Sequence, residues 1–353
     1  MDKRNFAFDK TNFIILAVGM VVVILGFILM SGSGSDEHVF SEDIFSVRRI
    51  KVAPVVCFLG FVSIIYGIIR RPARMNTLET IIIAIVEGLT EFLPVSSTGH
   101  MIIAQSLLGV ESTPFVKAFT VIIQFGAILS VICLYWKKFF YPTAERAGVS
   151  YWKAMYDFYA RLVVGVLPAV VLGLAFNDFI ESNLGNVTLV AVMLIVGGVF
   201  MLFCDRIFNK GSKDTKLTYK RAFTVGLIQC ISMIPGVSRS MATIVGGMSQ
   251  RLTRKAAAEF SFFLAVPTMF GATCLETYKL ISHGGGSLLT QGNNLETLLL
   301  GSVVAFIVAI LAIKFFISYV TKYGFAAFGW YRIIVGIIII ACALCGIELK
   351  MVD

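Results

Sequence analysis

Two short segments carry side chains that packing alone does not explain. The first reads Glu87-Gly-Leu-Thr-Glu91-Phe-Leu-Pro94-Val-Ser96-Ser97-Thr98-Gly-His100. Glu87 and Glu91 are four residues apart, so a helix brings them to one face. They follow the apolar run Ile81 to Val86. A carboxylate at such depth is costly and normally faces a bundle interior or a wet cavity. Two carboxylates held close repel, which favours keeping a proton on one of them. The pair could serve as a general base or hold a divalent cation through hard oxygens. The plainer alternative is a pair at the lipid–water interface near a helix end. Pro94 should end the first helix, and Ser96, Ser97 and Thr98 stand where they can cap the next. A helix start offers free N–H groups and a positive dipole end, both suited to phosphate. Ser97 is also a candidate nucleophile, with His100 three residues on as proton carrier. For any single hydroxyl here, capping alone is an equal explanation. His100 is one of three histidines and the one inside a membrane-like segment.

The second segment reads Pro235-Gly236-Val237-Ser238-Arg239-Ser240-Met241-Ala242-Thr243. A guanidinium binds phosphate bidentately and stays charged. Ser238, Ser240 and Thr243 place hydroxyls around it. The competing role for Arg239 is an ion pair with Glu87 or Glu91, which is compatible with phosphate chemistry if the two turns meet. An anion clamp, hydroxyls, a histidine and paired acids suit phosphoryl transfer, where positioning and charge stabilisation dominate. The sequence contains no P-loop, no H-E-x-x-H and no dinucleotide fingerprint.

These segments sit in an apolar chain. Of 353 residues, 58% are hydrophobic and 14% charged, with mean hydropathy +0.87. Soluble domains carry roughly 25% charge. Apolar stretches at 12–31, 115–136, 186–204, 295–313 and 327–347 approach or exceed the roughly 20 residues that cross a bilayer. Shorter or interrupted ones lie at 53–69, 160–176 and 256–275. The fold class is therefore all-α and polytopic. The net charge of +9 falls in short segments between apolar runs, as in cytoplasmic loops, which argues against nucleic acid as a partner. The seven cysteines (57, 133, 204, 230, 274, 342 and 345) mostly lie inside apolar runs. They read as small core residues without disulfides.

The order of elements repeats. The pieces flanking the first turn (79–93 and 100–109) and the second (222–234 and 240–250) are too short to cross. Each turn is followed by a long span with a Phe-Gly-Ala triplet, at Phe125 and at Phe270, and then by two more spans. Short broken segments at matching places suggest re-entrant helix pairs, which are tolerated only where they line a cavity or are buried in protein. Three spans per half invert the second half relative to the first. The expectation is an inverted-topology repeat with two re-entrant pairs and six spanning helices, its halves at about 75–210 and 215–350.

Residues 1–74 lie outside this repeat. They contain two apolar helices joined by the polar loop 32–52, and end in the basic segment Arg70 to Arg74. They read as a two-helix membrane module fused to a complete domain at 75–353. Lys3, Arg4 and Lys10 precede the first run as in a signal peptide, but its length favours a retained anchor. Basic residues crowd 137–159, 205–221, 251–255 and 314–326, including Arg146, Lys210 and Lys213. Asp178, Glu181, Glu276 and Glu296 fall on the opposite face, with Lys279 as an exception. The basic face is thus expected to be cytoplasmic. By the same count, Lys3, Arg4 and Arg70 to Arg74 would lie outside, which conflicts with the rule.

Residues 75–350 resemble the bacterial undecaprenyl-diphosphate phosphatase family of the bacitracin-resistance type. The likeness rests on the Glu87–His100 segment, on Pro235-Gly-Val-Ser-Arg-Ser240 and on Glu259-Phe-Ser-Phe-Phe-Leu-Ala-Val-Pro267. The family's paired acids fall on Glu87 and Glu91, its serine and histidine on Ser97 and His100, and its arginine on Arg239. The resemblance implies hydrolysis of undecaprenyl diphosphate in the bacterial cytoplasmic membrane, a divalent cation (Mg²⁺ or Ca²⁺), and re-entrant inverted repeats. Met241 departs from it, standing where the family usually has glycine. A homo-oligomer is left open. The main rival is a membrane transporter or lipid flippase, because broken helices in inverted repeats also build transporters.

Overall fold

Apolar side chains spaced all round a helix bury it or face it to lipid, and most of the long helices among the described residues are of this kind. The computed structural model describes residues 10–32, 45–69, 75–110, 112–141, 150–208, 216–282, 286–290, 293–346 and 349. The chain divides into two compact units, Met1–Arg74 and Met75–Asp353. In the first, α1 (Lys10–Met30) packs against α2 (Ala53–Ile69), which a short π-helical turn, Arg48–Val52, leads into. Arg49 Nε donates to the Met30 carbonyl at 3.0 Å, tying the two helices at one end. Lys3, Arg4, Arg70 to Arg74, Arg146, Lys210 and Lys213 lie outside the described residues.

The second unit begins with α3 (Thr77–Thr90) and α4 (Ser97–Leu108), followed by α5 (Pro114–Leu134) and the short α6 (Trp136–Phe140). Then come α7 (Tyr151–Ala175), α8 (Asn177–Leu184) and α9 (Val187–Phe208). After them, α10 (Tyr219–Gln229) runs through a 3₁₀ turn, Cys230–Met233, towards α11 (Arg239–Ser249). The remainder is α12 (Arg254–Leu280), α13 (Gly286–Thr290), α14 (Asn294–Tyr323) and α15 (Ala326–Leu344). Side-chain caps fix several starts. Asn76 and Glu79 form a capping box on α3, and Thr113, Thr218 and Thr253 each accept an amide hydrogen bond at the heads of α5, α10 and α12.

Seven helices among the described residues are long and apolar enough to cross a membrane, six of them in the second unit. In the first unit this holds for Arg48–Tyr66, while Ile14–Met30 is apolar but shorter. The chain is thus a multi-pass membrane protein. The short apolar stretches at 160–176 and 256–275 extend into the full helices α7 and α12. Hydropathy misses their first turns because charged residues lie inside the helices, several of them paired. Asp157 pairs with Arg161 at 3.4 Å, Glu259 with Lys138 at 3.0 Å, and Arg254 with Asp205 at 2.8 Å. The stretch 222–234 is not one helix either. At the 3₁₀ turn Ser232 Oγ donates to the Gln229 carbonyl at 2.7 Å, a local bond of the kind that competes with α-helix continuation.

The four helices flanking the two turns have 14, 12, 11 and 11 residues, short of a bilayer's width. They are held by long helices from elsewhere in the chain. α3 packs on α14 and α10 on α7, while α9 packs on α15 and α5 on α12. The closest approaches occur at glycine. A Cβ on Gly88 would lie 2.7 Å from the Ala305 carbonyl oxygen of α14, and one on Gly226 would strike the Gly165 carbonyl of α7. Backbone contact of this kind drives helix association where apolar side chains gain nothing by leaving lipid. Phe92, Phe119, Phe262, Phe316 and Phe325 are buried in the middle of the unit, with Phe92 and Phe262 edge to face at 5.4 Å.

Gly226→Leu should therefore force α7 from α10 and destabilise the protein by at least about 3 kcal/mol. Gly271→Ala, where an added methyl meets nothing within 4 Å, should leave the unfolding midpoint unchanged or slightly raised. Thermal unfolding in detergent reads both.

Candidate active site

α3 delivers Glu87 and Glu91 to one face, and the chain then turns through Phe92, Pro94 and Val95, all buried. The turn ends at Ser96, whose backbone has φ 70°. α10 and its 3₁₀ extension deliver the second turn in the same way. It ends at Ser238 with φ 78°, and α11 starts one residue later, as α4 does after Ser96. The left-handed region costs a non-glycine residue about 1–3 kcal/mol and is characteristic of functional turns. Here it occurs twice, at matching places.

The two turns meet. Arg239 Nη2 donates to Glu91 Oε1 at 2.8 Å, and the two side chains are 13% and 7% exposed, so the pair is largely desolvated. Ser240 Oγ donates to the Leu93 carbonyl at 2.8 Å, adding a second bond between the turns. The other oxygen of Glu91, Oε2, accepts from Ser97 Oγ at 2.8 Å. Glu91 thus links a hydroxyl to a guanidinium, and the Arg239 guanidinium lies over the Phe92 ring at 5.9 Å.

Several polar atoms at this point are sealed from solvent and have no hydrogen-bond partner among the described residues. They are both carboxylate oxygens of Glu87, Ser96 Oγ and Arg239 Nε. The rest of the Arg239 fork is loosely held, by the Ser261 carbonyl at 3.3 Å and the Met269 thioether at 3.2 Å. Such groups are rare in folded proteins, and four such atoms gathered at two touching turns call for an explanation. Arg239 pairs with only one of the two acids, and Glu87 has no ion-pair partner among the described residues.

The remaining candidates fall in different places. Ser238 Oγ accepts from the Met241 amide at 3.4 Å and bonds Ser240 Oγ at 2.9 Å, so it caps α11 as its type suggests. Ser96 stands at the head of α4 but makes no capping bond, although its backbone matches that of Ser238, which does cap. Thr98 is half-buried in the first turn of α4. Thr243 is fully buried, and its hydroxyl bonds the Arg239 carbonyl at 2.8 Å and Ser261 Oγ at 2.5 Å. It fastens α11 to α12 and has no hydrogen left for a phosphate. His100 is not paired with Ser97. Its Nδ1 is 2.8 Å from the Ser96 carbonyl and its Nε2 is 2.7 Å from Tyr331 Oη. A carbonyl only accepts, so Nδ1 carries the proton and Nε2 accepts from the phenol. The proton-carrier geometry expected from the i, i+3 spacing is replaced by a clamp on the turn backbone.

Two neighbouring residues were not among the sequence candidates. Tyr331 stacks on His100 with ring centroids 5.4 Å apart. Arg332 is fully buried and donates to five backbone carbonyls, those of Pro94, Met193, Leu194, Gly236 and Val237, at 2.9–3.3 Å. The signal was present, since an arginine inside the apolar run 327–347 needs a reason.

Fold and site together define a polytopic α-helical membrane protein whose functional charges face inward, between two turns. The family model described as Bacitracin resistance protein BacA matches residues 80–338, and the chain belongs to that family. Relatives named Undecaprenyl-diphosphatase include one from Porphyromonas gingivalis, 56% identical, spanning 78% of this chain and 100% of the relative. One from Flavobacterium johnsoniae is 53% identical, spanning 75% and 96%. One from Bdellovibrio bacteriovorus is 48% identical, spanning 79% and 100%. Residues 7–72 match a separate model, described as Protein of unknown function (DUF3098).

The different surroundings of the two acids predict opposite stability effects. Glu91→Gln breaks a buried ion pair and should cost about 3 kcal/mol. Glu87→Gln removes a buried carboxyl that has no partner among the described residues and should leave the unfolding midpoint no lower than in the parent, while activity falls at least about a hundredfold.

Proposed function

We propose that this protein hydrolyses undecaprenyl diphosphate to undecaprenyl phosphate and inorganic phosphate in the bacterial cytoplasmic membrane, recycling the lipid carrier of cell-wall glycan synthesis and conferring bacitracin resistance. The observation that carries this reading is Glu91 bridging Ser97 Oγ and the Arg239 guanidinium at 2.8 Å on each side. A hydroxyl already hydrogen-bonded to a carboxylate is a primed nucleophile. A guanidinium with unpartnered Nε is ready for phosphate oxygens. The names of the relatives point to the same substrate.

In this reading Arg239, the amides at the heads of α4 and α11, and the hydroxyls of Ser96 and Thr98 receive the terminal phosphate, while Ser238 and Ser240, whose hydrogens are spent on Ser240 Oγ and the Leu93 carbonyl, hold the second turn in place. Ser97 Oγ attacks phosphorus as Glu91 accepts its proton, and the bond to the bridging oxygen breaks, releasing undecaprenyl phosphate. Water then cleaves the phosphoserine, returning Ser97 and releasing inorganic phosphate. His100, itself held by Tyr331, donates to the Ser96 carbonyl and so holds the head of α4.

Mg²⁺ or Ca²⁺ fits the donor set. Among the described residues neither Glu87 oxygen has a donor, so both are free to meet a cation. Among the described residues no group of three or more His, Cys, Asp or Glu side chains is placed to hold a metal. A cation would therefore take Glu87 and Glu91 together with substrate phosphate oxygens and water, as Mg²⁺ commonly does. When bound it would neutralise charge on the diphosphate.

The architecture we infer is an inverted repeat with two re-entrant pairs and three spans in each half. Its support is the matched geometry: α3 on α14 through Gly88 and α10 on α7 through Gly226, left-handed Ser96 and Ser238, and Phe125 against Phe270 at 5.9 Å. The site is taken to open outward, and residues 1–74 form an additional two-helix membrane module.

Full-length protein in detergent should release phosphate from a C55 diphosphate, and EDTA should abolish the release. Arg239→Ala should lose at least about a thousandfold. Parental turnover by that variant would sink the assignment, and a pure transporter would release no phosphate.

A further inference from the structure

We infer that Arg332 is a positioning residue for this reaction, a buried guanidinium that sets the two turns in register. The inference rests on the reading of those turns as the phosphate site. Arg332 is fully buried and pairs with no carboxylate among the described residues. Its bonds are instead one-to-one. Nε donates to the Leu194 carbonyl at 3.3 Å, Nη1 to Pro94 at 3.1 Å and Val237 at 3.0 Å, and Nη2 to Met193 at 3.1 Å and Gly236 at 2.9 Å. A guanidinium has five N–H groups in a fixed fork, and all five are used.

The acceptors identify what is held. Pro94 lies two residues before the left-handed Ser96 and three before Ser97. Gly236 and Val237 immediately precede Ser238 and Arg239. One plane of donors therefore grips both turns next to the residues that meet the phosphate, and anchors them to α9. The anchor depends on bare backbone, because a Cβ on Gly197 would collide with Nη2 of Arg332. A buried cation is costly unless fully hydrogen-bonded, and a lysine ammonium, with three donors on a flexible stem, cannot reproduce a planar five-point grip.

A purely structural arginine would affect folding and activity in proportion. A positioning one affects turnover in protein that is folded and still binds substrate, since displacing a reactive group by about 1 Å costs about a hundredfold. Arg332→Lys and Gly197→Ala, prepared as full-length protein in detergent, should keep a monodisperse profile and a cooperative unfolding transition. Their KM for C55 diphosphate should stay within about threefold of the parent while kcat falls about a hundredfold for Arg332→Lys and about tenfold for Gly197→Ala. Parental kcat in folded Arg332→Lys would overturn the inference. So would loss of activity matched by loss of folded protein in both variants, which would leave Arg332 a folding residue only. If the parent itself releases no phosphate, it is the proposed reaction that fails, and the two failures are thereby distinguished.

Discussion

A charge placed in the low-dielectric interior of a membrane protein must find its compensation inside the protein, and this constraint organises the second unit. Glu91 is neutralised by Arg239 from the opposite turn, Arg332 is solvated by a ring of carbonyls, and Glu87 has no partner among the described residues. Each solution demands that separate parts of the chain come together. The acid–guanidinium pair requires the turns to touch, and the carbonyl ring requires both turns and α9 to converge on α15. The charges that would hold a phosphate are also those that hold the turns in place.

The two turns have like backbones and different chemistry. Ser96 and Ser238 share a left-handed conformation, and each is followed directly by a helix. The residue opening each helix is Ser97 in one and Arg239 in the other. Four residues after the sequence-matched glycines Gly88 and Gly226, the first approach would place Phe92 and the second Cys230, and three residues after them it places Glu91 and Gln229. Gln229 is buried and bonds Thr268. Acid and hydroxyl therefore come from one approach and the cation from the other, so neither turn alone assembles the set.

Much of this could be read in the sequence because its signals are local. Carboxylates four residues apart after an apolar run, and a Pro-Gly-x-Ser-Arg turn, declare themselves without knowledge of packing. The apolar runs locate most of the spanning helices. What the sequence concealed depends on partners distant in the chain. Charged residues inside α12 depress its hydropathy, and Asp205 and Lys138, which pair with two of them, lie elsewhere in the chain. Thr243 looked like a phosphate ligand until Ser261 was seen to take its hydroxyl. His100 looked like a partner for Ser97 because they share a helix, but the phenol of Tyr331 occupies its acceptor nitrogen. Arg332 was visible as an oddity in an apolar helix, yet its five acceptors come from three separate segments.

The left-handed serines carry one more consequence. Glycine would adopt φ near 70° without strain, so for folding alone serine is the poorer occupant of both positions. At Ser238 the hydroxyl returns something by capping its helix, but at Ser96 it is buried with no partner. The resting protein is therefore under a small conflict at that residue, between what the backbone prefers and what the side chain is there to meet. An arriving oxyanion would resolve the conflict by accepting from that hydroxyl, which makes Ser96 a place where ligand and fold stabilise each other.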